Sequence, residues 1–271
     1  MQELRSKEWL LMPYQEYNGA FNMALDYYFA ENYSTELKRP LLRFYGWDPY
    51  CLSLGIHQKL RDVDLEKCEQ LNIGVVRRPT GGRGVLHSEE LTYAVIVPVG
   101  EFHLPGIYEY MHQVFAAALK KIGLPAELEE NKPDLKAFYQ KKHSNLCFAS
   151  AAKTEVKVHN KKLIGSAQHL FRESILQHGS ILVGDYHTKI VELMKLGEKE
   201  RDRFLKIIRS STVEIQQLNR QITPGKLAKK ILDIMETNGI NFSMLRLTNE
   251  QLQKIEQLTQ KFKVTYEEQT V

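Results

Sequence analysis

Three segments of the 271-residue chain hold side chains whose types and spacing could do chemistry. The first is "SNLCFASAAKTEVKV", Ser144 to Val158, with Cys147 among small residues and ahead of a Lys/His/Asn-rich turn. A thiol acts as a nucleophile when a nearby cation or helix terminus brings its pKa down from roughly 8.5. A free cysteine is equally at home as a small buried apolar residue. The residues alone leave both readings of Cys147 open. The other two cysteines, Cys51 in "YCLSLGI" and Cys68 between Leu65 and Leu71 on a helical face, read as core.

The second segment is "RRPTGGRGVLHSEELTY". Gly81, Gly82 and Gly84 free the backbone for positive φ and for close approach to a ligand. Backbone N–H groups on such a loop can take an anion or a carbonyl oxygen, and Arg77, Arg78 and Arg83 add charge on both sides. The pattern is not a P-loop, which needs Gly-Lys-Ser/Thr, nor a dinucleotide fingerprint, since no helix start follows it. A tight turn carrying solvated arginines explains the same residues.

The third segment is "KKLIGSAQ". Alternation on a strand sends one of Lys161 and Lys162 inward and the other outward. An inward lysine beside Gly165-Ser166-Ala167 would sit over backbone with room for a ligand. The plainer alternative is a two-lysine hairpin tip in water. Lys162 follows Cys147 closely enough for a hairpin to bring the two together, although spacing does not establish that it does. His87, His169 and His178 are candidate acid/base groups. His178, in the strand-like "SILQHGSIL", reads as a core histidine. No HExxH or CxxC pattern occurs, so no metal site is expected.

Several elements must position these segments. "EWLLMP" reads as a strand, and "YNGAFNMALDYYFAENY" as a helix capped by Asn18, with Phe21, Ala24, Leu25, Tyr28 and Phe29 on one face. "PLLRFYGW" and "YCLSLGI" are strands divided at Asp48-Pro49. "DVDLEKCEQLNIG" reads as a helix closed by Gly74. "VVRRP" is a strand, "TGGRG" a loop, and "VLHSEELTYAVIVPV" a single long strand. "IYEYMHQVFAAALKKIGL" is an amphipathic helix. "TEVKVHNKKLIGSAQHL" reads as one hairpin turning at His159-Asn160, and "SILQHGSILVG" as a further strand. "HTKIVELMKL", "PGKLAKKILDIMETNGI" (starting at Pro224) and "NEQLQKIEQLTQKF" read as helices. Strands come first, and helices pack around and after them, which predicts an α+β fold rather than a doubly wound parallel sheet.

Composition narrows the function. Hydrophobic residues make up 43% and charged residues 26%, as in an ordinary globular protein. A net charge of +4 falls short of a dedicated nucleic-acid binder and suits an acidic protein partner. With three cysteines, no apolar leader and no stretch near the length of a membrane span, a soluble cytoplasmic protein is expected, with no nucleic-acid or membrane partner.

Together, and in this order, "FNMALD", "RFYGW", "RRPTGGRGVLHSEELTY", "CFASA", "KKLIGSAQ" and "ILQHGSIL" resemble the biotin/lipoate protein ligase superfamily. Within it they are most similar to the octanoyltransferases of the Gram-positive type. The likeness is clear over residues 18–185 and looser beyond. It implies a class II synthetase-like catalytic domain, a mixed or antiparallel sheet flanked by helices. That domain would span residues 1–245, with the N-terminal strand and helix packed on it, and residues 246–271 would add a C-terminal helix packed on the same domain.

The resemblance also implies a reaction without ATP or any other cofactor. Octanoyl passes from acyl carrier protein to a lysine of a lipoyl-bearing protein such as the glycine cleavage H protein. Cys147 matches the acylated cysteine, and Lys162 the lysine that lowers its pKa and orients the acyl carbonyl. Arg77, Arg78, Thr80, Gly81, Gly82, Arg83, Gly84 and His87, with Gly165, Ser166 and Ala167, match the substrate-binding segments. A monomer is the simplest expectation. Two relatives are alternatives: an amidotransferase acting between lipoyl domains, and an ATP-dependent lipoate–protein ligase, which needs no cysteine. The sequence departs from the family at Ser88, where an aspartate is common, and at Ala149, Ala151 and Ala152, where acidic and Pro-Ser residues are usual.

Overall fold

A computed structural model describes residues 7–130 and 154–264 of the chain. Its strands are β1 (Glu8–Tyr17), β2 (Leu41–Trp47), β3 (Cys51–Leu54), β4 (Gly74–Arg77), β5 (Val85–His87), β6 (Glu90–Pro98), β7 (Ala126–Glu130), β8 (Thr154–Val158), β9 (Lys161–Lys162), β10 (Ile164–Leu170), β11 (Ser174–Leu182) and β12 (Asn241–Met244). The helices are α1 (Gly19–Glu31), α2 (Tyr33–Glu36), α3 (Leu65–Gln70), α4 (Leu104–Lys121), α5 (Glu198–Ser211), α6 (Ile215–Leu218), α7 (Pro224–Thr237) and α8 (Asn249–Leu258).

The main sheet runs β10-β11-β6-β2-β1-β12. It is mixed: β12, β1 and β2 are parallel neighbours, and β2, β6, β11 and β10 pair antiparallel. Strict alternation divides its two faces. Trp9 and Leu11, Leu42 and Phe44, and Leu91, Tyr93, Val95 and Val97 face a core shared with α4 and α7. Leu10 and Met12, Leu41, Tyr45 and Trp47, and Ala94 and Ile96 face the opposite core, built around α1. A small sheet, β4-β3-β5, packs with α3 and a 3₁₀ helix in a third cluster. A third sheet, β7-β8-β9, is antiparallel. The expected α+β fold, a mixed sheet flanked by helices, is the one observed.

Local signals explain the ends of the helices. Asn18 caps α1 by accepting the Phe21 N–H at 2.9 Å. Pro224 opens α7, and Thr223 caps it. The whole of α1 from Gly19 to Asp26 is buried, not one face only, because the sheet covers one side and α8 packs on another.

Four expectations are corrected. The helix at Leu65 ends at Asn72, which takes the left-handed conformation (φ 52°), whereas Gly74 begins β4. Asparagine is, after glycine, a residue that takes that conformation at helix ends. "VLHSEELTYAVIVPV" is two strands in two sheets, broken at Ser88–Glu89. "TEVKVHNKKLIGSAQHL" turns at His159–Asn160 as expected, both with positive φ. It then leaves the hairpin at Leu163, so that β10 joins the main sheet. "HTKIVELMKL" lies in a 3₁₀ helix, Tyr186–Leu193, with His187, Ile190 and Leu193 buried at the three-residue spacing of that helix. Among the described residues no helix is long and apolar enough to cross a membrane.

Candidate active site

On its α1 side the main sheet is apolar at one end and polar at the other. Arg43 of β2, Glu90 and Thr92 of β6, and His178 and Ser180 of β11 all project from this face and are buried. Buried polar groups must find partners, and these find them in α1 and in the small sheet laid over them. Arg43 donates to Asp26 Oδ1 at 2.6 Å, to the Asn22 carbonyl at 3.3 Å and to Asn22 Oδ1, and its guanidinium stacks 3.9 Å from the Tyr45 ring centre. Tyr45 OH donates to Asp26 Oδ2 at 3.0 Å. Burial by itself would raise the Asp26 carboxyl, but the Arg43 charge and the neighbouring His178 hold it below the usual carboxylate range.

His178 links this cluster to the glycine loop. Its Nδ1 lies 3.6 Å from Asp26 Oδ2, and its Nε2 bonds Thr80 Oγ1 at 2.7 Å. Burial depresses its pKa despite Asp26, so the imidazole is neutral at pH 7. His178 is a buried core histidine as expected, but only its Nε2 is hydrogen-bonded, and through that bond it fastens the loop to the sheet.

Arg78 organises the loop from inside. Its Nε donates to Thr80 Oγ1 and the Gly81 carbonyl, Nη1 to the Ser53 carbonyl and hydroxyl, and Nη2 to the carbonyls of Gly81 (2.7 Å) and Arg83 (2.8 Å). Arg77 donates to the carbonyls of Gly55 and Gln58. Arg83 is buried as well. Solvated arginines on a turn are therefore not what forms here. Of the three loop glycines only Gly82 has positive φ (95°). Gly55 is the position of close approach, since a Cβ there would lie 2.0 Å from the Gly82 carbonyl oxygen. A trans peptide points its C=O and the following N–H in opposite directions. With the Gly81 and Arg83 carbonyls turned in to Arg78, the N–H groups of Gly82 and Gly84 face the other way.

His87 lies on β5 beside this loop. Its Nε2 bonds Ser53 Oγ at 2.7 Å, and its Nδ1 bonds Glu90 Oε1 at 2.7 Å. Its ring stacks on Trp47, with centroids 4.0 Å apart. Glu90 also accepts from Ser180 Oγ at 2.8 Å and from Thr92 Oγ1, which in turn accepts from Trp47 Nε1 at 2.7 Å. Burial favours the neutral acid, yet His87 and these hydroxyls hold the Glu90 carboxyl below its usual range. The order Ser–His–Glu has the geometry of a hydrolase relay. Ser53, however, has no exposed surface and already accepts an Arg78 N–H, so it locks the loop and is no nucleophile.

Small residues keep β10 open beside these groups. Gly165 pairs with Ser180 and Ala167 with His178, so both share the face covered by the loop and His87. Ser166 points to the other face, where its Oγ meets Tyr93 OH at 2.7 Å and His112 Nε2 at 2.9 Å. Gly165 and Ala167 therefore join the loop side, and Ser166 does not. Lys162 is 6% exposed, and its carbonyl accepts from Val213 N–H at 3.1 Å. Lys161 is half-buried and donates to the Arg209 carbonyl. The inward lysine is therefore Lys162, and the solvated hairpin tip is set aside. Cys147 lies outside the described residues, as do Ala149, Ala151 and Ala152. Cys51 and Cys68 are buried as expected. Burial pushes both thiols up, Cys68 to about 12, so neither is a thiolate near neutral pH. Among the described residues no group of three or more His, Cys, Asp or Glu is placed to hold a metal ion.

The residue types pointed to the loop and to β10, but not to Asp26, Arg43, Ser53, Glu90 or His112. One signal for Glu90 was present. "ELTYAVIVP" is apolar except at Glu90 and Thr92, two positions on one strand face, and a polar pair on a buried strand needs partners.

Residues 18–236 match the family described as the lipoyl protein ligase A/B catalytic domain. The chain is 34% identical over 264 residues to the octanoyltransferase LipM of Clostridioides difficile, covering 94% of this chain and 96% of that protein. It is 35% identical to the LipM of Anoxybacillus flavithermus (94% and 95% covered) and 32% to that of Bacillus subtilis (95% and 96%). Its fold is similar to an archaeal bipartite lipoate protein ligase from Thermoplasma acidophilum, with a TM-score of 0.73, 21% identity, and 95% and 93% of the chains covered. It is similar as well to a lipoate-protein ligase A solved with ATP, with a TM-score of 0.72, 19% identity, and 94% and 95% covered. The chain thus belongs to the family of lipoyl protein ligase A/B catalytic domains.

Proposed function

We propose that this protein is an octanoyltransferase of lipoate assembly, which moves octanoyl from acyl carrier protein through a Cys147 thioester to a lysine of a lipoyl-bearing protein. The observation that carries the reading is the Arg78-organised glycine loop, fastened by Thr80–His178 beside the small residues of β10. Such a frame suits an acyl thioester: an outward N–H of the loop can donate to its carbonyl oxygen, and the small residues of β10 leave room for its chain. Relatives at 32–35% identity that carry the octanoyltransferase name support it. In the first step the Cys147 thiolate attacks the acyl carbonyl and the carrier's thiolate leaves. In the second, the acceptor's amine attacks the new thioester, forming an amide, losing a proton and restoring the cysteine. Thioester exchange is close to balanced, so the transfer divides into two modest steps and needs no ATP. An ammonium at Lys162 would favour the thiolate.

The test is intact mass spectrometry after mixing the protein with octanoyl-loaded carrier protein. An octanoyl adduct that is absent in Cys147→Ser is expected, together with loss of transfer to a lipoyl domain. Transfer at full rate by Cys147→Ser would overturn the thioester route. Attachment of free octanoate only with ATP and Mg²⁺ would make the protein a ligase. An octanoylated lipoyl domain acting as the sole donor would make it an amidotransferase.

A further inference from the structure

Lys162 belongs to β9, a strand of two residues that pairs on one side with Lys157 and Val158 of β8. A pair that short is marginal on its own. On the other side it is held by the link between α5 and α6. Lys162 forms a parallel bridge with Thr212, and its carbonyl accepts the Val213 N–H at 3.1 Å. Lys161 Nζ donates to the Arg209 carbonyl at 3.1 Å. Thr212 and Glu214, on either side of Val213, are both buried, and one side chain meets them both. His187 Nε2 lies 3.3 Å from Thr212 Oγ1 and 3.4 Å from Glu214 Oε1. Its Nδ1 lies 3.4 Å from the Gly184 carbonyl.

His187 opens the 3₁₀ helix that follows β11, and the turn between them is seated on Glu89. The Glu89 carbonyl accepts the Val183 and Gly184 N–H groups at 3.0 and 2.8 Å, and a Cβ at Gly184 would lie 2.1 Å from Glu89 Oε2. Glu89 in turn lies between β5, which carries His87 beside the glycine loop, and β6. His187 thus ties the link that holds Lys162 to the corner that holds His87. A backbone bond from Gln216 N–H to the Val183 carbonyl, at 2.9 Å, supplements it. Buried polar groups are costly unless bonded, and their directional bonds fix geometry more narrowly than apolar packing does. Burial depresses the His187 pKa, so the imidazole is neutral at pH 7, and its contacts are ones that a glutamine amide can imitate. From these features we infer that His187 is a positioning residue for Lys162: through Thr212 and Glu214 it sets the place of the lysine relative to the glycine loop. The inference rests on the reading of Lys162 as the lysine that activates Cys147.

The test is the rate of Cys147 alkylation by iodoacetamide as a function of pH, read by intact mass. Cys51 and Cys68 are buried with their thiols pushed up, so they stay silent near neutral pH. Lys162→Ala sets the scale by raising the midpoint of the profile. His187→Leu is expected to raise it by at least half as much, to slow alkylation at pH 7 several-fold and to speed amide exchange at Val213. His187→Gln should bring all three back close to the parent. Thr212→Val keeps the branched shape and loses the hydroxyl. It should move the midpoint in the same direction even if His187→Leu does not fold, and Thr212→Ser should restore it. A midpoint moved by Lys162→Ala but by neither His187→Leu nor Thr212→Val would overturn the positioning role and leave the reading of Lys162 standing. A midpoint that Lys162→Ala does not move would overturn both. Lowered stability with an unmoved midpoint, or His187→Gln as impaired as His187→Leu, would make His187 a structural tie and no more.

Discussion

Arg78 gives the sharpest reading of a single residue. Its N–H groups are spread over Thr80, Gly81, Ser53 and Arg83, so it shapes the loop from behind. Lysine keeps the charge but concentrates its donors at one point and cannot span those acceptors. Each buried acceptor left unpaired costs roughly 1–3 kcal/mol. Arg78→Lys is therefore expected to lose about 3 kcal/mol in urea denaturation, with transfer activity falling alongside. A variant of unchanged stability but raised KM would make Arg78 a substrate contact instead. The sequence showed Arg78 and its glycines, but left their solvated and working forms equally plausible. What decides between the two is Ser53, which meets Arg78, and His178, which meets Thr80 and faces Asp26, all far apart along the chain and brought together only by the fold. Spacing along one chain cannot express that.

Among elements, the helices with a strong apolar stripe were legible, and so were the turns. Two of the errors fell where one run of strand-like residues serves two sheets, as at Ser88–Glu89 and Leu163, because alternation continues unbroken while the pairing partner changes. The unforeseen helix α5, "EKERDRFLKIIRSS", carries a short apolar stripe of Phe204, Leu205 and Ile208 set among charged residues, with only Ile208 fully buried. The β10–β11 pair carries an element-scale prediction. A Cβ at Gly179 would lie 2.4 Å from the Gly165 carbonyl oxygen and 2.8 Å from Ser166 Oγ. Gly179→Ala must push β10, an outer strand of the main sheet, away from β11. Overpacking of this kind costs about 1–3 kcal/mol. Faster amide exchange from Gly165 to Ala167 and a lower transfer rate are expected. Gly81→Ala is the matched control, because a Cβ there meets nothing within 4 Å and the fold should accept it. Exchange at β10 unchanged by Gly179→Ala would show that the strand spacing does not depend on that glycine.

At the scale of the whole molecule, the C-terminal segment supports the site at two removes. β12 adds to the main sheet beside β1, and Ile255 and Phe262 complete the core around α1. α1 holds the Asp26 that anchors Arg43 and faces His178. Phe262 also accepts the Arg77 N–H at 2.9 Å, Lys263 bridges Val76, and Lys261 covers the Tyr27 ring. Residues 246–271 are accordingly expected to belong to the catalytic domain and not to a separable appendage. Deleting them would expose the outer side of α1 and free the strand that leads into Arg77 and Arg78. The shortened chain should lose most of its stability and its transfer activity together, and it should expose apolar surface to a hydrophobic dye. Ile255→Ala makes the same argument within the intact chain. Removing a fully buried isoleucine costs about 2–5 kcal/mol, and the loosening should reach the loop as faster exchange at Arg77 and Arg78. A deletion that keeps the parent Tm and turnover would show that α1 and the site stand without this support, and that the boundary near residue 245 separates two independent parts.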